Sequence, residues 1–206
     1  MKQRLIIAFL LCLWTILLSG GCTTRVDYDY HPYLENNHSQ VVYPHIAAVF
    51  GYGFSPKVYQ EEDRIYSVMG GIFNLWDINM HTILSETFKS DDIQNIFIKL
   101  YRNDFEKNKI IIDDVAYEFK HCRAYINIRI ETILNNRKRI VKEYHAQGRP
   151  QRGKMYWGKN FAMKNAIQQS TKTAMDDVFL QYFTDLSRWW EEELASLRGK
   201  AAQSGR

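Results

Sequence analysis

Residues 122–130 have the sequence CRAYINIRI, which carries the clearest secondary-structure pattern in the chain. Apolar residues occupy every second position of this stretch, namely Cys122, Ala124, Ile126, Ile128 and Ile130. Polar residues and a tyrosine occupy the positions between them. Because neighbouring side chains of a β-strand point to opposite faces, this alternation predicts a strand with one buried face and one solvated face.

The residues on either side extend this strand into a hairpin. Upstream, the apolar positions of residues 115–119 alternate with the opposite parity, so we expect a bulge or a bend near residues 120–121. Downstream, Asn135-Asn136 predicts a turn, because asparagine tolerates a positive φ angle. Residues 137–148 are then expected to return as the partner strand.

Further elements are predicted outside the hairpin. Residues 45–56 are expected to form a strand that ends in a glycine-rich turn, and residues 72–88 place apolar side chains on one helical face. Residues 161–190 repeat apolar side chains at three- and four-residue steps, which predicts a long C-terminal helix. This order of elements predicts an α+β fold in which an antiparallel sheet carries helices on one face.

The N-terminus has the pattern of a cleaved secretory signal. Lys2 and Arg4 are followed by an apolar run from Leu5 to Leu18 and then by small residues up to Cys22. The run has 14 residues, and as a helix it would rise only about 21 Å, less than the roughly 30 Å hydrocarbon core of a membrane. A cleaved signal is therefore a better interpretation than a permanent transmembrane helix.

The segment Leu18-Ser19-Gly20-Gly21-Cys22 resembles the lipobox of bacterial lipoproteins. This resemblance implies cleavage before Cys22 and a lipid anchor, with acyl chains such as palmitate, on that residue. Ser19 departs from the family pattern, which usually has an aliphatic residue three places before the cysteine. Thr23 stands where the family usually has Asp for inner-membrane retention, so the resemblance implies the outer membrane. The alternative is an ordinary secreted protein in which Cys22 merely follows the cut.

We divide the chain into a lipoprotein signal peptide (1–21), a polar tether (22–43), a single α+β domain (44–198) and a frayed tail (199–206). Without the signal, the chain keeps 25 basic and 23 acidic residues, a net charge of +2 that does not argue for a nucleic-acid partner. Cys12 leaves with the signal. If Cys22 is acylated, Cys122 has no partner for an intramolecular disulfide and is expected to be a small buried residue.

Positive charge is concentrated in and after the predicted partner strand. Between residues 137 and 164 the chain has nine basic residues and a single acid, Glu143. Such a segment suits an anionic partner: lipid head groups, lipopolysaccharide phosphates or an acidic protein face. The alternative is a solvated hairpin and loop. The candidate binding residues are Arg137, Lys138, Arg139, Arg149, Arg152 and Lys154.

A tryptophan pair, Trp189 and Trp190, stands near the end of the predicted C-terminal helix. Adjacent helical residues point about 100° apart, so both side chains cannot face the same groove of the core. We therefore expect one of the two at the edge of the domain, available to a partner or to the membrane interface. The alternative is that the sheet of the domain covers both.

The sequence contains no recognisable catalytic or cofactor motif. It has no Gly-x-Ser-x-Gly, no His-Glu-x-x-His and no phosphate-binding glycine loop, and its six histidines lack ligand-like spacing. We therefore predict that the protein is not an enzyme and needs no cofactor and no metal. A periplasmic enzyme with an unrecognised site is the alternative, and a cleft that brings His121, His145 and an aspartate together would favour it.

The order of elements behind a lipobox and a polar tether resembles small envelope-assembly lipoproteins, including the lipopolysaccharide-assembly and transport-auxiliary kinds. This resemblance implies a membrane-anchored accessory or assembly factor that faces the periplasm. Its partner would be an envelope protein or an anionic lipid. An immunity-type or inhibitor lipoprotein, which blocks a partner, is a further alternative.

Overall fold

The computed structural model describes residues 22–69, 72–102, 106–135, 137–152 and 160–204. These residues form two sheets, one of three strands and one of five. In chain order, the elements are β1 (Cys22–Arg25), α1 (Tyr30–Asn36), β2 (Ile46–Phe54), β3 (Glu62–Met69), β4 (Ile72–Asn79), α2 (Met80–Lys89), α3 (Asp91–Gln94), β5 (Phe97–Arg102), β6 (Lys109–Lys120), β7 (Arg123–Leu134), β8 (Lys138–Gln147) and α4 (Asn160–Ser204).

The five-stranded sheet has the order β5-β2-β6-β7-β8. β6, β7 and β8 pair antiparallel, whereas β2 pairs parallel with both β5 and β6. The α+β class and the long C-terminal helix are thus confirmed, and the sheet is mixed rather than wholly antiparallel. β2 and β5 can run parallel because the chain between them passes through β3, β4, α2 and α3, and parallel neighbours need a crossover of about a dozen residues or more.

β7 has the predicted pattern, with buried side chains at Ala124, Ile126, Ile128 and Ile130. At the end of β6 the buried side chains lie at odd positions, whereas those of β7 named above lie at even positions. This change is not caused by the predicted bulge or bend within one strand. His121 and Cys122 have positive φ angles of 51° and 62° and form the two-residue turn between β6 and β7. The prediction was wrong because such a turn pairs odd positions of one strand with even positions of the next. Cys122 lies in this turn, half-buried, and not in the strand.

Residues 72–88 are only partly helical. Their first half forms β4, which pairs with β3, and α2 follows directly. Asn79 caps this helix, because its Oδ1 accepts a hydrogen bond from the backbone N–H of Thr82 at 2.8 Å. Trp76 and Ile78 are buried at a spacing of two. The apolar positions of β4 also fit one face of a helix, so the sequence predicted a single helix over residues 72–88. That prediction was wrong for residues 72–79.

Residues 22–43 belong to the fold and do not form a tether. β1 pairs parallel with β4, and α1 packs against α2. Val26 and Tyr30 are fully buried, and the backbone N–H of Val26 donates to the carbonyl oxygen of Asp77 at 2.9 Å. The predicted domain boundary at residue 44 was therefore wrong. The segment looks polar on average, but its aromatic and aliphatic residues enter the core.

Helix α4 covers one face of the large sheet, mainly over β7 and β8. Its buried side chains include Phe179, Tyr182, Phe183 and Leu186. The hydroxyl groups of Tyr182 and Thr132 lie 3.0 Å apart and join the helix to β7 in the core. The helix continues to Ser204, into residues that the sequence predicts to be frayed.

Candidate functional site

Cys22, the predicted lipid-attachment residue, is the first residue of β1. Its Cα partner in β4 is Asn74, and β1 is an edge strand of the small sheet, whose order is β1-β4-β3. The chain passes directly from β1 to the buried Val26 and then into α1. A lipid on Cys22 would therefore be joined to folded structure without a spacer.

Two of the candidate basic residues, Lys138 and Arg139, lie on β8 and pair with acids of the domain, as does Lys142 of the same strand. Arg139 pairs with Glu131 at 2.5 Å, Lys142 with Asp185 at 2.5 Å, and Lys138 with Glu192 at 3.3 Å. β8 is also an edge strand of the large sheet. Charged side chains on an edge strand discourage pairing with other chains. These contacts favour the interpretation of β8 as a solvated, internally neutralised hairpin strand.

The remaining described candidates are Arg137, Arg149 and Arg152, all of which are exposed. Arg137 precedes β8 and the other two follow it, so the ten residues of that strand, about 33 Å in length, separate them. The loop after β8 crosses the β6–β7 turn, where the backbone N–H of Gln151 donates to the Cys122 carbonyl oxygen at 2.8 Å. Lys154 lies outside the described residues. The basic segment is therefore not one surface, and Arg149 and Arg152 form its compact part.

The two tryptophans are buried to different extents. Trp189 is 9% exposed, and Trp190 is half-buried, with its ring edge-on to Phe50 of β2 at 6.0 Å between centroids. Trp190 therefore lies at the edge of the core, and its contact with a partner stays a prediction.

A polar cleft that the sequence did not indicate lies between the end of α1, the loop 37–41 and the middle of α4. Its volume is about 330 Å³. Within it, the Nζ of Lys172 donates to both carboxylate oxygens of Asp176, at 3.0 and 2.8 Å. The hydroxyl of Tyr43 donates to the same carboxylate at 3.2 Å. Lys172 is only 7% exposed, so this is a largely buried ion pair.

The electrostatics of the cleft are balanced. Burial raises the pKa of the Asp176 carboxyl, although hydrogen bonds from Lys172 and Tyr43 act in the opposite direction. Asp177 and Arg149 line the same cleft, so two basic groups face two acidic ones. Such a site can offer hydrogen bonds to a polar ligand, but it has no excess charge to attract an ion. No local pattern could have revealed it, because its walls come from distant parts of the chain.

The histidines that the sequence singled out are not brought together. His121 lies in the β6–β7 turn, whereas His145 lies on β8 opposite Asn127. The geometry that would favour the enzyme alternative is thus absent from these two residues. Among the described residues, no three His, Cys, Asp or Glu side chains are placed to hold a metal ion. No helix within the described ranges is both long and apolar enough to cross a membrane.

Comparison with known proteins adds no identification. No family model, curated protein or solved structure matches this chain significantly.

Proposed function

We propose that this protein is a lipoprotein, anchored by acyl chains on Cys22 and facing the periplasm. In this proposal it acts as a non-enzymatic accessory or assembly factor of a cell-envelope system, with the outer membrane as its site. The observation that carries the proposal is the Leu18–Cys22 segment, which follows a basic start and an apolar run of signal-peptide length. The position of Cys22 at the start of the first described strand is compatible with a chain that begins at that residue.

An envelope protein or an anionic lipid is the partner in this proposal. Arg149 and Arg152 are the candidate contacts, because both are exposed in the loop that follows β8. They stand next to Lys154 in the sequence, which would add a third positive charge. A basic residue near an anionic membrane contributes about 1 kcal/mol to binding, so three of them form a useful but weak contact beside a lipid anchor.

Replacement of Cys22 by serine is expected to move the protein from the membrane fraction to the soluble fraction. Acyl chains contribute about 0.8 kcal/mol per buried CH₂, and serine cannot receive them. The direct measurement is the mass of the N-terminal peptide of the protein purified from membranes, which should begin at Cys22 and carry the acyl groups.

The matched control is Cys122→Ser, which removes the other thiol of the processed chain and should leave the protein on the membrane. A free thiol at Cys22, or a peptide that still begins at Met1, would overturn the proposed anchor.

The anionic-partner hypothesis is tested by replacing Arg149, Arg152 and Lys154 together with glutamine. The Cys22→Ser chain that begins at residue 22 is used, so that an acyl anchor does not mask weak binding. At about 1 kcal/mol per basic residue, we expect affinity for phosphatidylglycerol vesicles to fall by roughly 100-fold. Co-sedimentation with the vesicles measures this change.

The control for this experiment changes the same number of charges at exposed positions elsewhere, with Lys57, Lys107 and Arg198 replaced by glutamine. An equal loss of affinity in the two triple variants would show that net charge alone sets the binding. It would contradict a specific binding surface at Arg149, Arg152 and Lys154. Unchanged vesicle binding by the Arg149, Arg152 and Lys154 variant would contradict the hypothesis that these residues bind an anionic lipid.

A further inference from the structure

The polar cleft between α1 and α4 has the size of a binding site for a small molecule. Its volume of about 330 Å³ is at the lower end of the range for ligand sites, roughly 300–1,000 Å³. Its most buried group, Lys172, is paired with Asp176, which also accepts a hydrogen bond from Tyr43. The Tyr43 ring is in turn edge-on to Phe183, at 5.6 Å between centroids. This part of the cleft is therefore held in place by the core before any ligand binds.

Two side chains of opposite charge are accessible in the cleft. The charges of Lys172 and Asp176 are occupied with each other, because Lys172 donates to both carboxylate oxygens. Arg149 and Asp177 line the same cleft, and both are exposed. Among the described residues, no ion pair links Arg149 to Asp177. A ligand can therefore reach one cation and one anion within a single small cavity.

The wall formed by the end of α1 adds hydrogen-bond acceptors. The Nδ2 of Asn36 donates to the carbonyl oxygen of Pro32, and the Nδ2 of Asn37 donates to that of Tyr33, both at 2.8 Å. These bonds turn each Nδ2 toward the helix and leave each Oδ1 able to accept. The hydroxyl of Thr173 donates to a backbone carbonyl of α4 at 2.8 Å, so its oxygen can accept as well. Such acceptors suit a ligand group rich in N–H, of which an ammonium group is the simplest.

The charges of the cleft select a class of ligand. An anion bound at Arg149 would also face the carboxylates of Asp176 and Asp177, and a cation bound at Asp177 would face Arg149. A neutral ligand would displace water from both accessible charges without compensating either, which costs free energy. A small molecule that carries both an ammonium and a carboxylate compensates both charges at once.

We infer that the polar cleft binds a small zwitterion of the α-amino-acid type, with its carboxylate on Arg149 and its ammonium on Asp177. A guanidinium group can bind a carboxylate through two parallel hydrogen bonds, which fixes orientation as well as adding affinity. The inference goes beyond the proposed lipid anchor and does not depend on it, since none of these contacts involves Cys22. It gives Arg149 a role besides the proposed lipid contact, so the test is made without vesicles.

Saturation-transfer difference NMR on the full chain, purified in detergent, tests this binding. The common L-amino acids are the probes and are added one at a time, and at least one of them should give a signal. The amide of that amino acid lacks the carboxylate, and its N-acetyl derivative lacks the ammonium. Each derivative should bind about tenfold more weakly, or weaker still, because it loses charge-assisted hydrogen bonds. Glucose, a neutral polar probe, should give no signal.

Two variants assign the two charges. Arg149→Gln should weaken binding of the amino acid about tenfold and leave binding of the amide unchanged, because the amide has no carboxylate to lose. Asp177→Asn should weaken binding of the amino acid to a similar extent and leave binding of the N-acetyl derivative unchanged. The matched controls Arg198→Gln and Glu191→Gln change exposed charges elsewhere on α4 and should bind like the wild type.

The inference is overturned if no amino acid gives a signal. It is also overturned if both derivatives, or glucose, bind as strongly as the amino acid, since the cleft would then not recognise the two charges. An equal loss of binding in the control variants would contradict it as well. Because each variant is compared on two probes, a loss of folding, which lowers binding of both, is distinguished from the loss of one charge contact.

Discussion

Replacement of Gly148 by alanine is expected to lower the free energy of unfolding by roughly 3 kcal/mol or more, at the upper end of the usual effect of overpacking. Gly148 follows β8 directly and lies against Ser170 of α4. A Cβ atom on this residue would lie 2.0 Å from the carbonyl oxygen and 2.6 Å from the carbonyl carbon of Ser170. Such distances require the backbone to move.

The surrounding hydrogen bonds restrict that movement. The backbone N–H of Gly148 donates to the carbonyl oxygen of Ala124 at 2.8 Å, and the backbone N–H of Ala124 donates to the Oγ of Ser170 at 2.8 Å. β7, the end of β8 and α4 are thus tied together at one point. A shift that makes room for a methyl group would break one of these bonds or lift the helix from the sheet.

Urea denaturation followed by circular dichroism measures the effect. Gly199→Ala is the matched control, because that glycine lies in α4 with no atom within 4 Å of the added Cβ. Alanine is favoured over glycine in a helix by up to about 1 kcal/mol, so the control should be slightly more stable than the wild type. Equal urea midpoints for the Gly148→Ala variant and the wild type would contradict the close approach of β8 and α4.

The parts of the fold that could be predicted are those whose pattern is local. From Ala124 to Ile130 the buried even positions of β7 alternate with half-buried or exposed odd ones, so Ile126 and Ile128 could be placed in the core from the sequence. α4 has an apolar stripe that repeats over many turns, and neither element needs knowledge of its partner. Even there, the turn at His121 and Cys122 was missed, because neither residue is a usual turn signal.

The parts that could not be predicted depend on contacts between distant residues. Val26 and Tyr30 are buried because α4 passes over them, and Gln168 of that helix donates to the carbonyl oxygen of Val26 at 3.0 Å and to Asp29 at 2.7 Å. Lys164 pairs with the same Asp29 at 2.6 Å. Averaged over residues 22–43, the composition is polar, and it therefore predicted a tether. The polar cleft is hidden for the same reason, since its walls are joined only by the folded chain.

The second large effect is expected from Lys172→Met, which should lower the free energy of unfolding by about 3 kcal/mol at neutral pH. Removal of one partner of a buried ion pair costs roughly 3–5 kcal/mol, because the other charge is left without compensation. Here the charge left behind is Asp176, and the cleft admits some solvent, so we expect the lower end of that range. A surface pair gives the control: Lys89→Met, which breaks the exposed contact with Glu86 at 2.7 Å, should cost less than about 1 kcal/mol.

The cost of Lys172→Met should also depend on pH. Burial raises the pKa of Asp176 above its ordinary value, so the folded state takes up a proton more readily than the unfolded state as the pH falls. Protonation of Asp176 then removes the uncompensated charge. The difference in stability between the variant and the wild type should therefore shrink as the pH is lowered from neutral through the folded-state pKa of Asp176.

A double variant separates the charge effect from the loss of packing. Lys172→Met combined with Asp176→Leu removes both charges and keeps apolar volume at both positions, so it should recover most of the stability that Lys172→Met loses. Tyr43 would lose the Asp176 acceptor in this variant but would keep the side chain of Ser39 as a hydrogen-bond partner. If the double variant is as unstable as the single one at every pH, the cost lies in packing, and Asp176 is not held by Lys172 in the way that the structure indicates.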